Sequence, residues 1–115
     1  MAEECLFCRI ESGEIESDVV AEGDRWLAFR DANPQAPTHV LVIPRRHVES
    51  LDDLSADGAD LAGELLLAAR DVARREGLVE EGWRLVANTG RGAGQSVFHL
   101  HFHVLGGRSM GWPPG

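Results

Sequence analysis

The chain has 115 residues and not one lysine. That absence removes Schiff-base chemistry and the phosphate-gripping lysine of a P-loop, and no GxxxxGK[ST] pattern occurs. Positive charge of any kind is scarce: eleven arginines face nineteen acids, for a formal charge of −8. Such a chain cannot build the basic face that nucleic-acid binding needs. A single phosphate remains within reach, because backbone N–H groups and a few polar side chains suffice to hold it. Long apolar runs are also missing, and nothing approaches the roughly 18–20 residues of a membrane span. The opening MAEECLFCRI has neither a basic nor an apolar leader stretch, so no secretory signal is expected. These absences predict one soluble domain over residues 1–115, cytoplasmic, with no membrane or nucleic-acid partner.

Cysteine is equally rare. The two that occur, Cys5 and Cys8, stand as C-x-x-C, a spacing that reads as half a zinc site or a redox pair. A thioredoxin-like motif belongs between a strand and a helix of a longer α/β chain, whereas this pair opens the sequence. Zinc is the better reading, provided two more ligands exist.

Residues 6–13 read as a short helix stopped by Gly13. Val19–Ala21 and Trp26–Phe29 read as strands about a Glu22-Gly23-Asp24 turn. Asn33-Pro34-Gln35-Ala36-Pro37 is a loop, and His39–Pro44 is an apolar run suited to a strand buried on both faces. From Ser55 to Glu76 the apolar spacing becomes helical, through Leu54, Leu61, Leu65, Ala68, Val72 and Ala73. Ser55 is the expected N-cap and Gly77 the stop. Trp83–Ala87 and Val97–Leu105 complete about five strands. One long helix between runs of strands favours an antiparallel α+β architecture over βαβ units.

Alternation along Val97–Leu105 assigns Phe98, Leu100, Phe102 and Val104 to one face and His99, His101 and His103 to the other. Three of the five histidines thus form one stripe. Neighbouring imidazoles can chelate a catalytic metal; alternatively, one neutral imidazole can act as a nucleophile, oriented through its other nitrogen. The preceding Asn88–Ser96 segment favours the second. Its glycines let the backbone approach a ligand, and Asn88, Gln95 and Ser96 add neutral donors suited to a phosphate.

GQSVFHLHFHVLGGR resembles the signature of the histidine triad (HIT) family, His-φ-His-φ-His-φ-φ with φ apolar. The resemblance covers nearly the whole chain. Val19–Pro44, with Phe29, Asp31 and the Pro-Gln-Ala-Pro-Thr-His stretch ending at His39, is similar to the adenosine-phosphoramidase branch, the Hint proteins. So are Asn88, Gly94-Gln95-Ser96 and the closing Trp112-Pro113-Pro114-Gly115.

The resemblance implies a hydrolase that cleaves purine nucleoside 5′-phosphoramidates to AMP and an amine, with no organic cofactor. His101 would attack the α-phosphorus and form a nucleotidyl-histidine, its other nitrogen held by the His99 carbonyl. His103 would bind phosphate oxygens, with His39 beside it. Asn88 and the backbone around Gly94, Gln95, Ser96 and Val97 would hold the phosphate. Ser96 would serve the leaving group, and Asp31 would accept from the ribose hydroxyls. Trp26, Phe29 and Ile43 are expected in the core, and Ile10 near the base. In bacterial members a structural zinc is held by an N-terminal C-x-x-C and two histidines, here Cys5, Cys8, His47 and His99. Members of this branch are homodimers joined sheet edge to sheet edge, and the Trp112 tail would reach the partner's site.

Three other functions stay open at this point. A dinucleoside polyphosphate hydrolase is the sister activity, an AMP-binding regulatory module would keep the site without turnover, and a metal-dependent hydrolase would use the triad as ligands.

Overall fold

The computed structural model describes residues 5–115. A short helix α1 (Leu6–Glu11) is followed by strands β1 (Val19–Glu22), β2 (Trp26–Arg30) and β3 (Thr38–Pro44), the long helix α2 (Ala59–Arg75), and strands β4 (Trp83–Val86) and β5 (Phe102–Gly106). The strands form one five-stranded antiparallel sheet in the order β1-β2-β3-β5-β4. Five strands with one short and one long helix were expected, and α+β is the class observed. Among the described residues no helix is long and apolar enough to cross a membrane.

Period-two alternation divides the core between the two sheet faces. Ala28, Val40, Val42, Phe102 and Val104 pack with Leu61, Leu65, Ala68, Ala69, Val72 and Ala73 of α2. Leu27, Phe29, Leu41 and Ile43 pack on the opposite face with Phe7 of α1. The central strand β3 is therefore apolar throughout because both of its faces are covered, as its unbroken run predicted. Phe29 and Ile43 are core residues, and Trp26 is half-buried against the helix-side cluster.

Two boundaries differ from expectation. Helix α2 begins at Ala59, after a 3₁₀ turn over Ala56–Gly58; Ser55 makes no capping hydrogen bond, and Gly58 occupies the N-cap. At the other end Gly77 takes φ 73°, the left-handed geometry of a helix stop. The last strand begins at Phe102, five residues later than its alternation suggested. Its ladder with β3 ends at the Val42/Phe102 pair. Beyond that point β3 runs into Pro44, which has no N–H to offer. The Pro44 carbonyl lies 2.8 Å from His99 Nε2, and the Leu100 N–H donates instead to Val48 O.

Side-chain alternation survives the loss of ladder bonds, with one exception. Leu100, Phe102 and Val104 join the helix-side core, whereas Phe98 is exposed beside the Arg91 guanidinium.

Candidate active site

The histidine stripe divides in two. His99 is fully buried and turns toward the N-terminal cysteines, while His101 and His103 line a cleft of about 680 Å³ with Ile10, Asp31, Ser96 and Val97. That cleft lies on the α1 side of the sheet.

His101 is fixed by its own neighbour. Its Nδ1 lies 2.7 Å from the His99 carbonyl, an atom that can only accept, so Nδ1 carries the proton and Nε2 keeps its lone pair. Phe7 stands edge-on to the ring, centroids 5.0 Å apart. Burial lowers the His101 pKa below the ordinary imidazole value, against the opposing pull of the His99 carbonyl. A buried neutral imidazole with a free nitrogen at a cleft is the form a nucleophile requires.

His103 and His39 come together across the sheet. His39 pairs with Leu105 and His103 with Leu41, so the two histidines are diagonal neighbours on one face. His39 Nε2 and His103 Nδ1 are 2.8 Å apart, and the Gln35 N–H donates to His39 Nδ1 at 3.0 Å. Asp31 Oδ2 stands 3.3 Å from His39 Nε2, while Oδ1 accepts from the Asn33 N–H at 2.8 Å. Burial lowers the His39 pKa and pushes His103 down to about 4, with the neighbouring His101 and His39 acting in the same direction on His103. His103 Nε2 is buried and has no partner among the described residues. Asp31, His39 and His103 also place three ligand-type atoms near one another. The 2.8 Å nitrogen–nitrogen distance is nevertheless that of a shared proton. Two imidazoles on one tetrahedral ion stand about 3.3 Å apart.

The remaining expected residues are partly assembled. Ser96 and Val97 line the cleft, and neither N–H is engaged among the described residues. Asn88 is half-buried two residues past the Val86/His103 pair that ends the β4–β5 ladder. Gly94 adopts φ 90°, and its N–H donates to Arg91 O. Gln95 departs from the sequence reading as a free donor. It is 4% exposed, its amide donates to Glu49 O and Val97 O, and its Oε1 accepts from the Gly90 N–H. Its side chain pins the glycine loop and has no donor left for a phosphate.

The second cluster brings together Cys5, Cys8, His47 and His99, one ligand atom from each lying within 4.8 Å of the others. Cys5 Sγ and Cys8 Sγ lie 3.3 and 3.5 Å from His99 Nδ1, and Cys8 Sγ lies 3.3 Å from His47 Nδ1. Thiolate and imidazole ligands of one tetrahedral ion are expected about 3.5 Å apart. His99 Nε2 is committed to the Pro44 carbonyl at 2.8 Å, which leaves the Nδ1 lone pair aimed at the sulfurs. Burial, reinforced by Cys5, pushes the Cys8 thiol up to about 11, so a cation is what would bring the Cys8 sulfur to the thiolate form. These four residues can hold a metal ion, in a closed shell with no position for substrate.

The HIT domain family matches residues 12–110. The chain belongs to the HIT family. Among solved structures, a HIT family hydrolase from Legionella pneumophila is 51% identical and superposes with a TM-score of 0.95, over 97% of this chain and all of that one. An uncharacterized HIT-like protein of Synechococcus elongatus is 50% identical over the full length of both chains. The purine nucleoside phosphoramidase of Escherichia coli is 46% identical over 111 residues, 96% of this chain and 93% of the relative.

Two contributors to this HIT site were not anticipated as such. Gln35 acts through its backbone, and Pro44 through its carbonyl. Backbone donors and acceptors carry no side-chain signal, and the Pro-Gln-Ala-Pro stretch announced a loop without revealing what the loop would touch.

Proposed function

We propose that this protein hydrolyses purine nucleoside 5′-phosphoramidates to the nucleoside monophosphate and an amine. The observation that carries the reading is the pairing of two ring nitrogens at one cleft: His101 Nε2 with a free lone pair, and His103 Nε2 buried without a partner. The name of the E. coli relative supports the substrate class.

In this reading His101 Nε2 attacks the α-phosphorus, the P–N bond breaks, and the leaving nitrogen departs as the amine after gaining a proton in the cleft, where Ser96 lies. Water then attacks the nucleotidyl-histidine, returns that proton to the site and frees His101. His103 and the N–H groups of Ser96 and Val97 hold phosphate oxygens, together with Asn88. Asp31 receives the ribose hydroxyls and Ile10 the base.

Zinc is the ion proposed for Cys5, Cys8, His47 and His99. It would tie the N-terminal segment to the chain that carries the triad, with a structural role. The free edge of β4 suits a two-fold partner, and Trp112, 83% exposed, belongs to a tail that would reach the partner's cleft. Residues 1–115 then form one cytoplasmic HIT domain working as a homodimer.

The test is hydrolysis of adenosine 5′-phosphoramidate by zinc-loaded protein, with His101→Ala as control. Turnover lost in the variant while the fold persists is the expected result. Turnover that persists without His101 would overturn the nucleophile, and turnover in neither protein would overturn the activity.

A further inference from the structure

His103 is useful in the proposed reaction when its buried Nε2 carries a hydrogen, because only then can it donate to a phosphate oxygen. A neutral imidazole has two tautomers, and the one present follows from the bond at the other nitrogen. The chain of contacts here starts at a group that cannot reverse. The Gln35 backbone N–H is only a donor, and it points at His39 Nδ1 from 3.0 Å. His39 Nδ1 must accept, so the hydrogen of neutral His39 sits on Nε2. That atom faces His103 Nδ1 at 2.8 Å, which must accept in turn, and the His103 hydrogen is driven to Nε2, the nitrogen without a partner.

The loop that presents the Gln35 N–H is held from the far end of β5. Arg108 donates through Nε to Gln35 O at 2.9 Å and through Nη1 to its neighbour's carbonyl, Ser109 O, at 3.1 Å. Gly107 adopts φ 92°, and a Cβ placed there would meet Pro37 Cβ at 2.9 Å. The turn after β5 thus closes directly on the Asn33–Pro37 loop. The Gln35 backbone is gripped on both sides of its Cα, Arg108 on the carbonyl and His39 on the N–H.

We infer that Gln35, through its backbone and anchored by Arg108, is a positioning residue that sets the tautomers of His39 and His103 and so makes His103 a hydrogen-bond donor toward the cleft. The inference deepens the hydrolase reading, but the tautomers exist in the free protein whatever the substrate. The groups facing the pair are Asp31, 3.3 Å from His39 Nε2, and the His101 ring, 4.9 Å from that of His103. Asp31 draws the same His39 hydrogen to Nε2 and so reinforces the tautomer.

The experiment is nitrogen-15 NMR of the imidazole rings at neutral pH, on zinc-loaded full-length protein without substrate. Wild type is expected to show unprotonated Nδ1 and protonated Nε2 in both His39 and His103. Gln35→Pro removes the N–H and keeps the carbonyl; Arg108→Ala removes the anchor, and Arg108→Lys restores a donor. Both of the first two variants should give mixed tautomers, with kcat reduced roughly tenfold and KM little changed, while Arg108→Lys recovers part of the loss. A wild-type spectrum with Nδ1 of either histidine protonated overturns the inference without any variant. So do pure Nε2–H tautomers in both Gln35→Pro and Arg108→Ala. Mixing in Gln35→Pro alone keeps the N–H as the setter and overturns the anchoring role of Arg108. A protein inactive on phosphoramidates but showing these tautomers would overturn the proposed activity and leave this inference standing.

Discussion

His99 and His101 are joined by one hydrogen bond although their rings serve different clusters: the His99 carbonyl accepts from His101 Nδ1 at 2.7 Å, while the His99 ring faces Cys5 and Cys8. The residue that closes the metal-ligating shell is therefore also the residue that fixes which nitrogen of His101 carries the proton. With the ladder already ended at Phe102, the peptide that carries the His99 carbonyl is held by the Leu100 N–H donating to Val48 O and by what holds the His99 side chain. Three ring contacts do so, to the two sulfurs and to Pro44 O.

Loss of the ion should consequently reduce turnover as well as stability. With zinc as the proposed ion, Cys8→Ser is expected to lower the metal taken up to well below one equivalent. It should cost about 2 kcal/mol and lower Tm by about 10 °C. Catalysis should fall below that of wild type at temperatures where the variant is fully folded. Metal analysis, calorimetry and assays with and without a chelator measure each part. Equal Tm and equal kcat after complete chelation would dissociate the cluster from both roles.

Acid should destabilise the fold through His103. Its folded pKa is pushed down to about 4, first by burial and then by the neighbouring His101 and His39, whereas the unfolded ring titrates near 6.5. Below pH 6.5 the unfolded chain takes up a proton that the folded one refuses, so stability is complete above that pH and declines as pH falls toward 4. His39, also lowered by burial, acts in the same direction. Tm measured from pH 7.5 to 4.5 should fall less steeply in His103→Gln than in wild type. Carboxylates titrate in both proteins and cancel in the comparison. Parallel curves would mean that His103 protonates as easily folded as unfolded.

How much of this was legible in the sequence follows from where each signal resides. Helix α2 and strand β3 were readable because burial imposes a period on side chains, and Leu61, Leu65, Ala68 and Val72 obey it. The alternation of the triad was readable for the same reason, yet it overstated the strand. Alternation records which way side chains point and says nothing of ladder bonds, which Pro44 cannot continue. The gathering of Cys5, Cys8, His47 and His99 was suggested by family likeness; within the sequence His47 follows two arginines like any surface residue. Gln95 looked like a ligand donor because a free amide and a buried one have the same letter. Its three partners, Glu49 O, Val97 O and the Gly90 N–H, are all backbone atoms.

Those partners give Gln95 a measurable role. Gln95→Glu retains the shape, removes both amide donors and places a charge in a site 4% exposed. Two carbonyls lose their donor and the carboxylate loses its solvent, at a cost of about 2–4 kcal/mol. Chemical denaturation should show that loss. Gln95→Met, apolar and of similar length, should cost less because no charge is buried. If Gln95→Glu were as stable as wild type, the loop would not depend on this amide.

Asp31 offers a test of the ribose contact that separates it from a purely local role. One oxygen is taken by the Asn33 N–H and the other faces His39, but a carboxylate has about four acceptor positions, and Asp31 lines the cleft. Asp31→Asn keeps the size and removes the charge. A charge-assisted hydrogen bond to a ribose hydroxyl is worth roughly 1.5–3 kcal/mol, so kcat/KM for a ribonucleoside phosphoramidate should fall about 10- to 100-fold. A 2′,3′-dideoxy substrate has no hydroxyl to lose and should fall much less in the same variant. The ratio of the two losses isolates the sugar contact, because any disturbance of His39 affects both substrates alike. Equal losses would assign Asp31 to the histidine pair alone and leave the ribose hydroxyls to other groups.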